Sequence, residues 1–212
     1  MESKLMGTEN PLLTRAYALA GDRDDIRAVY ADWAESYDDD TLIGMGYVAP
    51  AIAAETLASE ISSSDRVLDA GCGTGLVGKE LHEQCEPTID GVDLSADMLI
   101  KARQKGVYDA LETADLTQKL DIKDDAYDGV ISVGVFTSGH VGPSAMNELV
   151  RVIKPGAPAV ITVHEKVWDK DGYAEHLEQM EQDGIAKIRE IREAPYHQKE
   201  GYSCKLCILE AA

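Results

Sequence analysis

The sequence predicts an α/β fold: a doubly wound, mostly parallel sheet with an antiparallel final strand, preceded by an N-terminal helical lid. Three observations predict it. After residue 64, short apolar runs alternate with stretches of helical spacing through brief Gly- or Asp-containing connections, the pattern of crossover units in a parallel sheet covered by helices. One such run, Val67-Leu68-Asp69-Ala70, leads directly into the turn Gly71-Cys72-Gly73-Thr74-Gly75. The last two strand-like runs have no helix between them, so they pair antiparallel at one edge.

The elements follow in order. Residues 12–20 and 22–37 have helical spacing, and Ile26, Val29, Tyr30, Trp33 and Tyr37 form one stripe of the second helix. Asp22 caps it, and Asp24 and Asp25 suit the positive end of its dipole. A loop through Asp38-Asp39-Asp40 and Gly44-Met45-Gly46 follows, and Pro50 opens a third helix with Ile52, Ala53, Leu57 and Ile61. Strands are then expected at 66–70, 88–93, 109–114 (the weakest), 127–134 and 157–164. Helices at 76–84, 96–104 and 144–153 separate them. A helix at 173–182 precedes strands at 185–193 and 202–210, joined by a loop containing Pro195 and Gly201. The expected organisation is a single domain over residues 1–212, with residues 1–60 as helical lid and substrate wall and residues 61–212 as a Rossmann-like binding core.

Charge narrows the function classes. With 20 Lys and Arg against 39 Asp and Glu the formal net charge is −19, a field that repels phosphate backbones and anionic membrane surfaces. Nucleic acid and membrane are therefore not expected partners. No apolar stretch approaches the roughly 18 residues of a membrane helix; the longest, 130–136, is broken by Ser132 and Gly134. Met1-Glu2-Ser3-Lys4 leads into no cleavable leader, and four scattered cysteines make no disulfide framework, so a soluble, cytoplasmic protein is expected. Cys204-x-x-Cys207 is half a zinc site without a second pair, and no metal is expected. The acidic runs at 38–40 and 121–125 read as solvated surface. Neither a phosphate-binding Gly-x-x-x-x-Gly-Lys loop nor a Gly-x-Ser-x-Gly elbow occurs.

The glycine loop carries the chemistry. A strand running into Gly-x-Gly-x-Gly and then a helix lets a ligand approach bare backbone at a helix N-terminus. The dinucleotide pattern fails, because its third glycine would fall at Leu76, and Asp69 would repel a pyrophosphate. A carboxylate there suits an amine. Asp93, at the end of the second strand, can accept both hydroxyls of a ribose. Asp115 can accept from an adenine amino group while Leu116 covers the ring. Amine, ribose and adenine together describe S-adenosylmethionine. Each acid also has a plainer role open to it: Asp93 could cap the helix that follows, and Asp115 could cap a turn.

These residues resemble the first motif and strand-end acids of the class I S-adenosylmethionine-dependent methyltransferases. Tyr127-Asp128-Gly129-Val130-Ile131 is similar to the family's fourth strand, and residues 149–157 to the turn before its fifth. The resemblance covers roughly residues 47–212. Residues 30–38 and 46–50 resemble the leader of the methyltransferase-like proteins of the Williams-Beuren syndrome chromosomal region. The resemblance implies a cofactor set built on Asp69, Gly71, Gly73, Gly75, Asp93 and Asp115; Cys72, Leu94, Leu116 and Gly134 beside them are expected to join it, as is Met98, for which core packing is the alternative. It also implies that Trp33 and Tyr37 meet the methionine portion, whereas packing alone would make them glue between lid and sheet.

His140, after the fourth strand, is the candidate catalytic base; a loop or capping role is its alternative. Methyl transfer from a sulfonium needs mainly positioning and water exclusion, so little further machinery is expected. Selection of a small-molecule acceptor is expected from the N-terminal helices, the Met45–Tyr47 loop, the 136–143 loop and the 165–172 segment. A non-catalytic S-adenosylmethionine sensor or partner subunit is the rival reading, and the sequence is silent on oligomeric state.

Overall fold

A computed structural model describes residues 10–212; the expectation about the first four residues lies outside them. Seven strands form one sheet: β1 (Arg66–Ala70), β2 (Thr88–Asp93), β3 (Ala110–Thr113), β4 (Gly129–Phe136), β5 (Pro158–His164), β6 (Ala186–His197) and β7 (Tyr202–Ala211). Their order is β3-β2-β1-β4-β5-β7-β6. The first five are parallel, and β7 enters antiparallel between β5 and β6. The expected doubly wound sheet and antiparallel ending are both present.

The alternation of side chains along a strand sorts the core into two layers. Leu68, Val130, Ala159 and Ile161 face the cluster that includes Met146, Leu149 and Val150 of α6 (Ala145–Arg151) and Tyr173, Leu177 and Met180 of α8 (Tyr173–Gln182). Val67, Ile131 and Val160 belong instead with Ala53 and Leu57 of α3 (Ala49–Ala58) and Val77 and Leu81 of α4 (Leu76–Cys85). Although α3 lies within the first 60 residues, it packs on the sheet. α5 (Ala96–Lys105) adds Leu99 and Ala102 beside Cys72. All four cysteines are free. Among the described residues no group of three His, Cys, Asp or Glu side chains could hold a metal, and no helix is long and apolar enough to cross a membrane.

The helical lid has its own small core: Leu13 and Ala16 of α1 (Pro11–Tyr17), Val29 and Trp33 of α2 (Arg23–Trp33), and Met45. α2 stops at Trp33, four residues short of the expected end. Ser36 and Trp33 Nε1 both donate to Asp40, and the Thr41 hydroxyl donates to the Tyr37 carbonyl. These side-chain bonds compete with a regular ladder, and the expected loop becomes a wide π-helical segment, Asp39–Met45, ended by Gly46 at φ +67°. Asp38 and Asp40 are therefore not the solvated surface the sequence suggests. Asp38 accepts from the Thr74 hydroxyl and from Lys105 Nζ at 2.6 Å, which ties the lid to the glycine loop and α5.

Two irregularities shape the upper end of the sheet. Between Ser132, opposite Ile161, and Phe136, opposite Val163, β4 carries two residues more than β5. This bulge is centred on Gly134 at φ +81°, a backbone region that disfavours side chains. The second concerns β6, which runs through Pro195 to His197 where a loop was expected. Proline is tolerated because β6 is the edge strand and its register shifts there. The extension carries Tyr196 and His197 over the sheet, where His197 bridges Tyr47. One short helix, α7 (Glu165–Trp168), was not anticipated; His164 caps it by accepting the Lys166 N–H at Nδ1.

Candidate functional site

The glycine loop leaves the end of β1 and turns into α4. Gly71, at φ +78°, packs so tightly that a Cβ would overlap Val135 Cγ2, whereas a Cβ on Gly73 would meet nothing within 4 Å. Gly73 thus offers bare backbone to open space. Its N–H donates to Asp93 Oδ2 at 2.8 Å, and the Ser95 N–H donates to Oδ1 at 2.8 Å. Asp93 is thereby oriented by the loop it faces. Burial pushes its carboxyl up, while the Ser95, Gly73 and Leu94 N–H groups act in the opposite direction.

An open cleft of about 820 Å³, its mouth included, lies over these residues. Gly71, Gly73, Asp93, Leu94, Met98, Asp115, Leu116, Gly134, Tyr37 and His140 all line it, together with Arg23, Ile26 and Tyr30 of α2. Its few polar groups stand among apolar walls, the composition usual for small-molecule sites. Asp115 Oδ1 accepts from the Thr117 N–H and hydroxyl, and Oδ2 is paired with Arg23 of the lid.

Four of the expected cofactor residues stand elsewhere. Asp69 is fully buried behind the loop, where its Oδ2 accepts the Tyr108 hydroxyl at 2.7 Å and its Oδ1 has no hydrogen-bond partner among the described residues. The β1 pleat turns the side chain toward α4, where Tyr108 Oη also receives the Gly78 N–H. The amine-reading role expected of Asp69 is not what this placement provides. Cys72 packs with Leu99 and Ala102, and Gly75 forms the left-handed start of α4, close against Tyr108. Trp33 is buried in the lid core, donates to Asp40 at 2.8 Å, and borders a second chamber instead of the cleft.

Burial pushes the Asp69 carboxyl up to about 7, the Tyr108 hydrogen bond opposing. Folding therefore favours the protonated acid, a contribution complete below the ordinary 3.8 and lost as pH rises through about 7. Asp69→Asn, a neutral analogue of that acid, is expected to raise stability at pH 8 by about 2–4 kcal/mol. The difference should fade toward pH 4 in thermal unfolding. An advantage that persists undiminished at pH 4 would show that the buried charge is not the cause.

The second chamber is a narrow, partly open space, about 430 Å³ with its mouth included, and adjoins the first. Tyr30, Tyr37, Gly134 and His140 line both. Its remaining wall includes Tyr17, Trp33, Met45 and Tyr47 from the N-terminal segments, Thr137 after β4, and His164, Tyr196 and His197 from the far strands. No residue of the 165–172 segment lines either space, contrary to expectation; the β6 extension occupies that side instead. At the junction His140 Nδ1 donates to the Ser138 carbonyl at 2.8 Å, so in the neutral ring Nε2 accepts the Tyr30 hydroxyl at 2.9 Å. Burial lowers the His140 pKa below its ordinary 6.5 and keeps the imidazole neutral at pH 7, while burial raises the Tyr30 hydroxyl and keeps it a donor.

Tyr30, Tyr196 and His164 were missed as site residues. Tyr30 was legible only as part of an apolar stripe, and nothing in sequence spacing brings residues 164 and 196 to residue 30.

Residues 67–156 match a protein family described as a methyltransferase domain. Methyltransferase-like protein 27 of Homo sapiens is 33% identical over 163 residues, which are 74% of this chain and 66% of that protein. The chain thus spans slightly less than two thirds of that relative. The phosphatidylethanolamine N-methyltransferase of Cereibacter sphaeroides is 30% identical over 146 residues, 66% of this chain and 68% of that one. Among solved structures, the TehB-like SAM-dependent methyltransferase of Corynebacterium glutamicum has the same fold, with a TM-score of 0.65 and 21% identity across 87% of this chain and 99% of that one.

Proposed function

Because the chain belongs to the class I S-adenosylmethionine-dependent methyltransferases, we propose that it transfers a methyl group from S-adenosylmethionine to the oxygen or nitrogen of a small-molecule acceptor. The observation that carries this reading is the shared wall. A cleft bearing Asp93 and the bare backbone of Gly73 opens onto a second, aromatic chamber through Tyr30, Tyr37, Gly134 and His140.

The donor set of the cleft fits the cofactor. Asp93 would hold the ribose, Asp115 and Leu116 the adenine, and Met98 and Leu94 the apolar flank; Asp69 would act from behind, by fixing Tyr108 and the start of α4. When bound, S-adenosylmethionine supplies a methyl group already activated on a sulfonium, so the residues of the chain have three tasks: to align, to exclude water and to take a proton. An acceptor hydroxyl at the junction gives its proton to Tyr30 Oη as the Tyr30 proton passes to His140 Nε2, and the oxygen becomes the nucleophile. The net charge of −19 disfavours a nucleic-acid acceptor, and no separate recognition element is needed for a small one.

Calorimetry with S-adenosylmethionine, S-adenosylhomocysteine and NAD tests the cofactor. Binding of the first two without NAD is expected, and tight NAD binding alone would overturn the reading. Incubation with a metabolite library is expected to yield S-adenosylhomocysteine with at least one acceptor. Cofactor binding without turnover on any metabolite or basic peptide would favour the non-catalytic sensor.

A further inference from the structure

The second chamber contains a buried donor that the fold leaves without a partner. His164 is 2% exposed. Its Nδ1 receives the Lys166 backbone N–H at 3.2 Å, and a backbone N–H can only donate, so the hydrogen of the neutral ring sits on Nε2. That Nε2–H is buried and has no hydrogen-bond partner among the described residues. A buried unpaired donor is destabilising, and the chamber that His164 lines is the place where a partner would relieve that cost.

The rest of the wall defines what that partner is attached to. Among the described residues lining the chamber none is Asp, Glu, Lys or Arg. Its polar groups are tyrosine and threonine hydroxyls, an indole N–H and imidazoles, and the imidazoles are neutral: burial lowers the pKa of His164 and of His197 to about 4 each. His197 Nδ1 donates to Glu200 Oε2 at 3.1 Å, so that carboxylate is already engaged from outside the lining. Lys166 Nζ lies outside the lining, over the Tyr17 and Tyr202 rings, so a formally charged acceptor would shed its hydration here with no charged side chain in the wall to meet it. Tyr47 and Tyr196 meet edge to face at 5.0 Å, with the Tyr47 hydroxyl directed at the Tyr196 hydroxyl beside Gly134. Such aromatic walls favour a planar ring. Transfer requires a nucleophile at the Tyr30–His140 end, and His164 requires an oxygen acceptor elsewhere on the same molecule.

Resting on the methyltransferase reading, we propose that this chamber is the acceptor subsite and that it takes an uncharged planar ring bearing both a hydroxyl and a carbonyl-type oxygen. His164 recognises the carbonyl through Nε2–H. The hydroxyl is the group methylated.

The test uses the full chain saturated with S-adenosylhomocysteine and four probes, meta-hydroxyacetophenone, phenol, benzoate and benzylamine, with affinities measured by ligand-observed NMR. The hydroxyacetophenone is expected to bind most tightly. In His164→Asn the shorter side chain keeps an acceptor for the Lys166 N–H but withdraws the Nε2–H donor, and asparagine is a good helix cap. This variant is expected to lose about tenfold for hydroxyacetophenone and to leave phenol unchanged. His164→Gln, whose amide nitrogen reaches the Nε2 position, should recover most of the loss. Tighter binding of benzoate or benzylamine, or an equal loss for phenol and hydroxyacetophenone, would overturn the proposal. If S-adenosylhomocysteine binds and no probe does, the chamber proposal fails while the cofactor reading stands; if S-adenosylhomocysteine itself does not bind, both fail.

Discussion

Asp93→Ala should weaken S-adenosylhomocysteine binding roughly 5- to 150-fold, the equivalent of leaving polar groups unpaired at about 1–3 kcal/mol. Two effects act together. The ribose loses its acceptor, and the Gly73 and Ser95 N–H groups lose the carboxylate that orients loop and helix, since both donate to Asp93 at 2.8 Å. Asp93→Asn separates these contributions, because the amide oxygen can still receive one backbone N–H but the second oxygen is gone. It is expected to fall between wild type and alanine in a calorimetric titration. Unchanged affinity in the alanine variant would return Asp93 to a plain capping role, through its bond with the Ser95 N–H.

His140→Ala should lower kcat by about 10²- to 10⁴-fold, the usual range for a lost general base, while S-adenosylhomocysteine affinity stays within about twofold. Tyr30→Phe should reproduce much of that loss if the proton takes the proposed route, because the Tyr30 hydroxyl is hydrogen-bonded to Nε2 at 2.9 Å. The pH profile carries the sign. Burial lowers the His140 pKa below its ordinary 6.5, so the base stays deprotonated as pH falls to that value, and the acid limb of kcat is expected below 6.5. A limb above 6.5, or full activity in His140→Ala, would leave His140 as a loop residue held by the Ser138 carbonyl.

Much of this architecture was legible because local rules and the global fold agree. The strand into Gly71 and Gly73 dictates a loop at the carboxyl end of β1, and sheet topology then brings Asp93 and Asp115 to the same edge from the next two strands. Where side chains bind their own backbone, legibility failed. Ser36, Asp40 and Thr41 turn an expected loop into a π-helical segment, and their partners cannot be chosen from spacing alone. The Pro195 signal misled for a different reason: proline forbids a central strand, but an edge position leaves its missing N–H without consequence.

Periodicity and glycine's backbone freedom were enough to set the order of the strands and of the helices other than the short α7 and the π-helical segment, and to locate the glycine loop and the two strand-end acids. The tertiary structure decided the direction in which Asp69 points and the partners of Asp38. It also decided the meeting of Tyr30, His140, His164 and Tyr196 around one chamber. These residues come from four separate parts of the chain. Their proximity depends on lid packing, on the bulge at Gly134 and on the extra length of β6, none of which leaves a periodic trace in the sequence.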